Sequence, residues 1–448
     1  MSLLEKWLKS SKAYWPTPTR WATFASFPLI PIIISHILLL LCTRYIAWPE
    51  NLLWPHLSFH NLALYKDIFF IYPPLYFEII SVFSNFFGLT LISLISLSYL
   101  NIIFTDTLLY FVGKKRILPL IIFIPLQIFF EGNAFWPDQL LAPIFLAGWL
   151  CFQHKKYFLL GLFLGLALIT KQTAAYFIFG IFILFIFSKA KLKNYVKLLI
   201  GSLIPIIILI LYLIFNQNYR EFFEQTIIYI FSYHTKNTLQ ILWPNKQQII
   251  STLLIFFPVL FSKNYKLIFL AILASLGIFT RFEYFHLQPA LPFIALILSE
   301  TFVSIPFLLV FAVLFIRFVF TSHGLPTRFY DTELKNNARK INLYIPAGSK
   351  ALFINTWDHY YYLTNTIPLG NFFYSSTPWN WEYGDLQVKT VEILKREKPK
   401  YVVYGSCFKI NEICYQPAIV KDYIKANYKQ VSETSDGTGI FEYNPVSF

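Results

Sequence analysis

Charge is scarce in this chain: Asp, Glu, Lys and Arg make up 13% of 448 residues, against 56% hydrophobic and 20% aromatic residues and a mean hydropathy of +0.55. That balance excludes a soluble domain and defines a polytopic membrane protein. Cysteine is nearly absent, with four in all. Cys42 and Cys151 sit in apolar runs as packing residues, while Cys407 and Cys414 are close enough in sequence for a disulfide if their part of the chain lies outside the cell. No GxGxxG, P-loop or CxxC framework occurs, so no nucleotide or zinc site is signalled. No set of His, Cys, Asp and Glu has the spacing of a metal cage, so the expectation is metal: none.

What is present is long apolar runs up to Phe320, enough for about ten spans of roughly 20 residues. No cleavable signal peptide is evident: Lys6, Lys9, Lys12 and Arg20 precede an apolar stretch with no small-residue cleavage site, which reads as a retained first span, about 23–43. The net charge of +14 does not point to nucleic acid, because the first 322 residues hold 23 basic and 11 acidic residues while 323–448 hold 14 and 12. The excess belongs to short basic connections that set orientation by the positive-inside rule.

Applying that rule along the chain gives eleven crossings, with the amino terminus cytoplasmic and the carboxy terminus extracytoplasmic. A first outer loop covers 44–72. Lys114-Lys115-Arg116 must lie inside, so only one crossing fits between 73 and 112. PPLYFEIISVFSNFFG (73–88) is therefore expected along the interface as an amphipathic helix. The remaining spans are expected near 90–112, 117–130, 139–152, 157–169, 174–188, 196–215, 249–262, 266–279, 290–299 and 303–320. The turn around Ser299–Ser304 fits the charge rule worst, since it holds Glu300 and no basic residue. The resulting division is a membrane domain, 1–322, followed by a small α/β domain, 323–448. In the latter, 351–355 and 401–404 read as buried strands, and 387–398 and 419–428 as amphipathic helices.

Eight of the eleven carboxylates in the membrane part (Glu50, Asp67, Glu78, Glu131, Asp138, Glu221, Glu224, Glu283) fall in the outer connections. A carboxylate there can take a proton from an attacking hydroxyl. The plainer reading of Glu50 and Asp67 is solvated loop charge. Asp138, in WPDQLLAP at the mouth of a span, reads either as a residue facing a cavity or as a helix cap. Lys171, Arg281 and His286 lie at outer helix ends, where cations clamp a phosphate or simply snorkel to the interface.

At these residues the sequence resembles a known family. NLALYKDIFFIYPPLYFEIISVFSNFFG, WPDQLLAPIFLAGWLCFQHKKYFLLGLFLGLALITKQTAAYF and RFEYFHLQPALPFIAL are together similar to the GT-C membrane glycosyltransferases of the protein-mannosyltransferase and aminoarabinose-transferase type, in the same order over most of 20–320. The resemblance implies a GT-C-like bundle that moves a sugar from a polyprenyl-phosphate donor to a glycan, lipid or protein acceptor on the non-cytoplasmic side. It implies no cofactor beyond the lipid-phosphate sugar as co-substrate. Glu50 would match the glutamate of the family's Asp-Glu pair, Asp67 the aspartate of its Tyr-Arg-Asp-like segment and Asp138 its later aspartate. Lys171, Arg281 and His286 would match its Thr-Lys-Gln and His-x-x-Pro-like segments and hold the phosphate. The chain departs from the pattern at Pro49, which stands where an aspartate precedes the glutamate. Either Glu50 or Asp67 is then the base, or activity is lost. The rival classes are a transporter or flippase of lipid-linked sugars, and a non-catalytic membrane anchor for the C-terminal domain.

Overall fold

The computed structural model describes residues 29–234, 242–279, 281–370, 372–374, 378–410 and 413–444. Residues 23–28 of the first expected span, and the basic residues ahead of it, lie outside the described residues. Every other expected span is a helix: Leu91–Val112, Leu118–Phe129, Pro137–Gln153, Tyr157–Leu168, Ala174–Phe187, Leu192–Phe215, Lys246–Phe256, Tyr265–Ser275, Leu291–Leu298 and Ser304–Ser322, after a first helix at Leu29–Leu41. The architecture is that of a polytopic helical membrane protein with a small C-terminal α/β unit. Among the described residues, three helices, Leu91–Val112, Leu192–Phe215 and Ser304–Ser322, are long and apolar enough to cross a bilayer by themselves.

The shortness of the others has a packing explanation. Eight residues rise only about 12 Å, far less than the roughly 30 Å apolar core of a bilayer. All eight residues of Leu291–Leu298 are buried, so that helix meets protein rather than lipid, and its ends can pass into irregular backbone without exposing polar groups to hydrocarbon. By contrast, Leu192–Phe215 and Ser304–Ser322 carry exposed Ile, Leu, Val and Phe along most of their length, as lipid-facing helices do. Leu192–Phe215 packs on Tyr157–Leu168 through glycines. A Cβ on Gly161 would come within 2.0 Å of the Leu198 carbonyl oxygen, and one on Gly201 within 2.0 Å of the Phe158 carbonyl oxygen. In lipid, where no hydrophobic force joins two helices, such close backbone approach supplies the contact.

Most of PPLYFEIISVFSNFFG folds into a helix, Leu75–Phe87. Tyr76, Phe77, Ile80, Ser81 and Ser84 form its buried face, Val82, Phe86 and Phe87 are exposed, and Gly88 ends it at φ +82°. The Glu300 turn finds its cation in space: Arg116 Nη2 donates to Glu300 Oε1 at 2.7 Å, and Asn264 Nδ2 reaches Oε2 at 3.5 Å. These three connections therefore share one end of the bundle. Inside the bundle, His36 Nδ1 lies 2.8 Å from Asp106 Oδ2 and Nε2 lies 3.1 Å from Gln127 Oε1, with His36 and Asp106 both fully buried.

The C-terminal unit is built on a four-stranded sheet in the order Phe353–Ile354, Tyr401–Gly405, Thr438–Tyr443, Tyr428–Glu433; the first pair is parallel and the others antiparallel. The helices Leu386–Glu397 and Ala418–Asn427 fall where the amphipathic pattern places them. The strand expected over 351–355 is divided. Lys350–Ala351 pairs with Ile367–Pro368, and Phe353–Ile354 pairs with Tyr401–Gly405, so one extended run serves two sheets. Helix Thr332–Asn342 and the final hairpin have no counterpart in the sequence reading. Cys407 and Cys414 form a disulfide beside the hairpin Phe408–Ile410/Ile413–Tyr415.

This unit rests on the 44–89 segment. Tyr330 Oη donates to the Pro49 carbonyl at 2.8 Å, His56 Nε2 to the Thr366 carbonyl at 2.9 Å and Tyr362 Oη to the Leu89 carbonyl at 3.0 Å. Phe69 and Phe373 join the two parts by backbone hydrogen bonds, Phe69 N to Phe373 O at 3.0 Å and Phe373 N to Asp67 O at 2.7 Å.

Candidate active site

Six charged or ionisable side chains from four separate segments, Glu50, Asp138, Lys171 and the trio Arg281, Glu283 and His286, meet under the C-terminal unit. Asp138 stands in the first turn of Pro137–Gln153, a helix whose proline at the first position is pre-set for helical φ. Lys171 stands in the turn between Tyr157–Leu168 and Ala174–Phe187, and Lys171 Nζ donates to Asp138 Oδ2 at 2.6 Å. His286 Nδ1 lies 3.2 Å from Lys171 Nζ and 3.2 Å from the same Asp138 oxygen. His286 Nδ1 thus meets a donor, Lys171 Nζ, and an acceptor, Asp138 Oδ2, while the other ring nitrogen, Nε2, lies 4.0 Å from Glu283 Oε2. Burial, and after it the adjacent Lys171, hold His286 below the ordinary histidine range, consistent with a neutral ring. Arg281 Nη2 then donates to Glu283 Oε1 at 2.9 Å. Burial alone would raise the Glu283 carboxyl, but Arg281 outweighs it and keeps the group low.

The two cations differ in access. The Lys171 and Asp138 side chains are 5% and 1% exposed, whereas those of Arg281 and Glu283 are 24% and 19% exposed. Lys171 is sealed against its carboxylate, and of these two cations Arg281 is the one that an incoming group can reach.

Glu50 belongs to the same cluster. It lies in the first turn of Pro49–Phe59, and its Oε2 is sealed from solvent without a hydrogen-bond partner. Burial, and after it the charge of Asp358, push the Glu50 carboxyl up to about 8, while Arg281 acts in the opposite direction. Tyr72 is raised above its ordinary range by burial and by Asp138 and Glu50. Its ring lies 5.7 Å from Lys171 Nζ. Glu131 is pushed up to about 7 by burial and by Glu283. Trp48, Trp136, Phe285 and Phe329 wall this region, with Trp48 centroid distances of 5.5–5.6 Å to the other three rings.

Asp67 stands apart from these contacts. Its Oδ2 accepts from the Ala63 backbone N–H at 2.8 Å, closing the turn that carries Tyr65 at φ +66°. Its backbone carbonyl bonds to Phe373. Of the six expected residues, then, Glu50, Asp138, Lys171, Arg281 and His286 are brought together, and Asp67 is placed as a loop-closing residue. The turn around Lys171 is held in register by its neighbour: Gln172 Nε2 donates to the Ile71 carbonyl at 2.6 Å and to the Thr226 carbonyl at 3.0 Å. Tyr72 and Glu131 lie in connections that the sequence reading marks as aromatic or acidic without singling them out. Tyr330 and Asp358 carry no local signal, since only the packing of the C-terminal unit brings them near Glu50.

A three-dimensional comparison shows the class of fold. The chain has a GT-C-like architecture, helical bundle and C-terminal α/β unit together. ArnT from Cupriavidus metallidurans bound to undecaprenyl phosphate superposes with a TM-score of 0.61 at 11% identity, covering 95% of this chain and 98% of that one. The apo form of the same ArnT gives 0.60 at 10% identity, over 92% and 97%. No protein-family model and no curated protein sequence matches the chain.

Proposed function

We propose that the protein is a membrane glycosyltransferase that moves a sugar from a polyprenyl-phosphate donor to an acceptor hydroxyl at the end of the bundle covered by the C-terminal unit. What carries this reading is the charged array Asp138–Lys171–His286–Glu283–Arg281 with the sealed Oε2 of Glu50 in the same cluster, on a fold shared with a protein whose structure holds undecaprenyl phosphate. A polyprenyl phosphate leaves as an anion. Arg281, the accessible cation, meets the phosphate as negative charge collects on it, and Lys171 fixes Asp138 and shapes the potential behind it. The fixed cations supply the positive charge the leaving group needs, so the reading calls on no metal. Glu50 in its ionised form accepts the proton of the attacking hydroxyl, and direct displacement at the anomeric carbon inverts its configuration.

The sidedness follows from charge. Lys114, Lys115, Arg116, Lys155, Lys156, Lys189, Lys191, Lys263 and Lys266 lie in the connections at the opposite end, so the positive-inside rule makes that end cytoplasmic and the site extracytoplasmic, in a plasma or inner membrane. The sugar acceptor, whether glycan, lipid or protein, meets the site from that side.

The His36–Asp106 pair is the feature a transporter would use, since ionisable groups inside a membrane often mark ion pathways. Both residues are fully buried and paired with each other, and His36 also meets Gln127, which favours a structural key between Leu29–Leu41 and its neighbours. Transfer from a labelled polyprenyl-phosphate sugar tests the proposal: Glu50→Gln should lose about 10²-fold or more in rate, and Asp67→Asn should keep it. Full activity in Glu50→Gln would remove Glu50 as the base.

A further inference from the structure

Glu50 and Asp138 stand on different helices, Pro49–Phe59 and Pro137–Gln153, and a ring of hydrogen bonds ties the two together. Asn51, the residue after Glu50, donates through Nδ2 to the Phe135 carbonyl at 2.8 Å, in the segment that leads into Pro137–Gln153. Tyr76, from the helix Leu75–Phe87, donates through Oη to Asn51 Oδ1 at 2.5 Å, and the same hydroxyl lies 3.0 Å from the Phe135 carbonyl oxygen. The Tyr76 ring stacks on Phe135 at 5.4 Å and meets Trp136 edge-on at 5.9 Å. Asn51 and Tyr76 are both 0% exposed. The start of the same helix is fixed to the Lys171 side, where Leu75 N donates to the Ile169 carbonyl at 3.1 Å.

An amide and a phenol are costly to bury, and an apolar pair of similar shape would pack Pro49–Phe59 on Leu75–Phe87 without that cost. What apolar contact does not supply is a fixed register. Hydrogen bonds weaken steeply away from their preferred distance and angle, so a closed ring of them holds its elements in one relative position where apolar surfaces could slide. Glu50 takes its place from that ring through the backbone it shares with Asn51. Its Oε2 is sealed without a hydrogen-bond partner, so little else orients the carboxyl at that oxygen. A reacting group misplaced by about 1 Å can lose 10²-fold in rate, which gives the ring a direct hold on turnover.

We propose that Tyr76, acting through Asn51, is a positioning residue that sets where Glu50 stands relative to Asp138, so that the helix Leu75–Phe87 has a part in the rate of transfer. This rests on the reading of Glu50 as the base. The attacking hydroxyl must meet Glu50 while the donor faces the charged array on which Asp138 stands, and the ring holds the two sides at one spacing. Arg281, the cation assigned to the donor phosphate, is not a member of the ring. Tyr76 therefore acts on turnover and leaves donor affinity unchanged.

The test compares Tyr76→Phe, and Tyr76→Phe combined with Asn51→Leu, with wild type as full-length proteins in nanodiscs. Each is read for melting temperature, for kcat and KM of transfer, and for the infrared band of the protonated Glu50 carboxyl at pH 6, identified as the band that Glu50→Gln removes. Tyr76→Phe should lower kcat about tenfold or more and leave the KM for the polyprenyl-phosphate sugar within about twofold of wild type. The double variant replaces both polar partners by apolar groups, so its melting temperature should return toward wild type. Its kcat should stay low and its Glu50 band should stay displaced and broadened, because no directional bond then holds the register. Recovery of kcat together with melting temperature overturns the inference, since packing alone would suffice; so does a loss confined to KM, or a Glu50 band that does not move in either variant. A displaced Glu50 band in folded variants, with no transfer by any of the proteins including wild type, upholds the positioning and instead removes the transferase reading.

Discussion

Replacing Glu50 by glutamine should stabilise the protein at alkaline pH and do little in acid, which is the opposite of what removing a structural ion pair does. Burial pushes the Glu50 carboxyl of the folded state up to about 8, from the ordinary 4.5 of an exposed glutamate. The folded state therefore holds the proton more tightly than the unfolded chain. Its contribution is intact below about 4.5 and is lost as the pH rises through 8. Each unit is worth about 1.4 kcal/mol, so the 3.5-unit displacement caps the alkaline cost near 5 kcal/mol. Part of the Glu50 residue reaches solvent, and relaxation softens the penalty, so about 2–3 kcal/mol is the working figure. The assay is thermal unfolding of wild type and Glu50→Gln in nanodiscs at pH 5 and pH 8.5. All other groups titrate alike in the two proteins, and the difference of differences isolates Glu50. The variant should melt within a degree of wild type at pH 5 and several degrees higher at pH 8.5. A gap that is independent of pH, or larger in acid, refutes the burial of an uncompensated carboxyl at this site.

Two further outcomes follow from groups away from the site. His36→Leu strands Asp106 in the bundle without its 2.8 Å partner and should cost about 3–5 kcal/mol, while His36→Leu with Asp106→Leu should recover most of that; yield and melting temperature of the two variants decide it. His359 in the C-terminal unit is buried with neither ring nitrogen hydrogen-bonded, and burial pushes it down to about 3. The unfolded chain then takes up this proton near 6.5 and the folded chain does not, so stability drains away at about 1.4 kcal/mol per unit as pH falls from 6.5 toward 3. His359→Phe should flatten the acid limb of melting temperature against pH, and an unchanged limb would place the acid sensitivity elsewhere.

The bundle is legible in the sequence because lipid imposes a coarse code of apolar length, basic connections and alternation. That code is strong enough to mark a helix in PPLYFEIISVFSNFFG and to put Arg116 and Glu300 at the same end of the bundle, where they meet. It does not reveal that an eight-residue helix such as Leu291–Leu298 suffices, since that depends on complete enclosure by neighbours. The final hairpin carries an Asp436-Gly437 turn signal, with Gly437 at φ +79°, but its strand Tyr428–Glu433 is mostly exposed and polar, so hydrophobic alternation does not mark it. At the site, Asp138, Lys171, Arg281 and His286 stand out because charge at a span end is rare. Asp67 stands out for the same reason and yet closes a turn, which spacing alone does not distinguish from chemistry. Tyr330 and Asp358 reach Glu50 only through packing more than 250 residues away in sequence, and no local pattern encodes that.

The central claim is that Arg281, at the open end of the charged array, receives the phosphate of a polyprenyl lipid. Native mass spectrometry of the purified protein titrated with undecaprenyl phosphate measures this directly. Wild type should retain one lipid phosphate per chain, and Arg281→Gln should bind it about tenfold or more weakly, with the fold preserved. Equal retention by the two proteins, or none by wild type, would contradict the account.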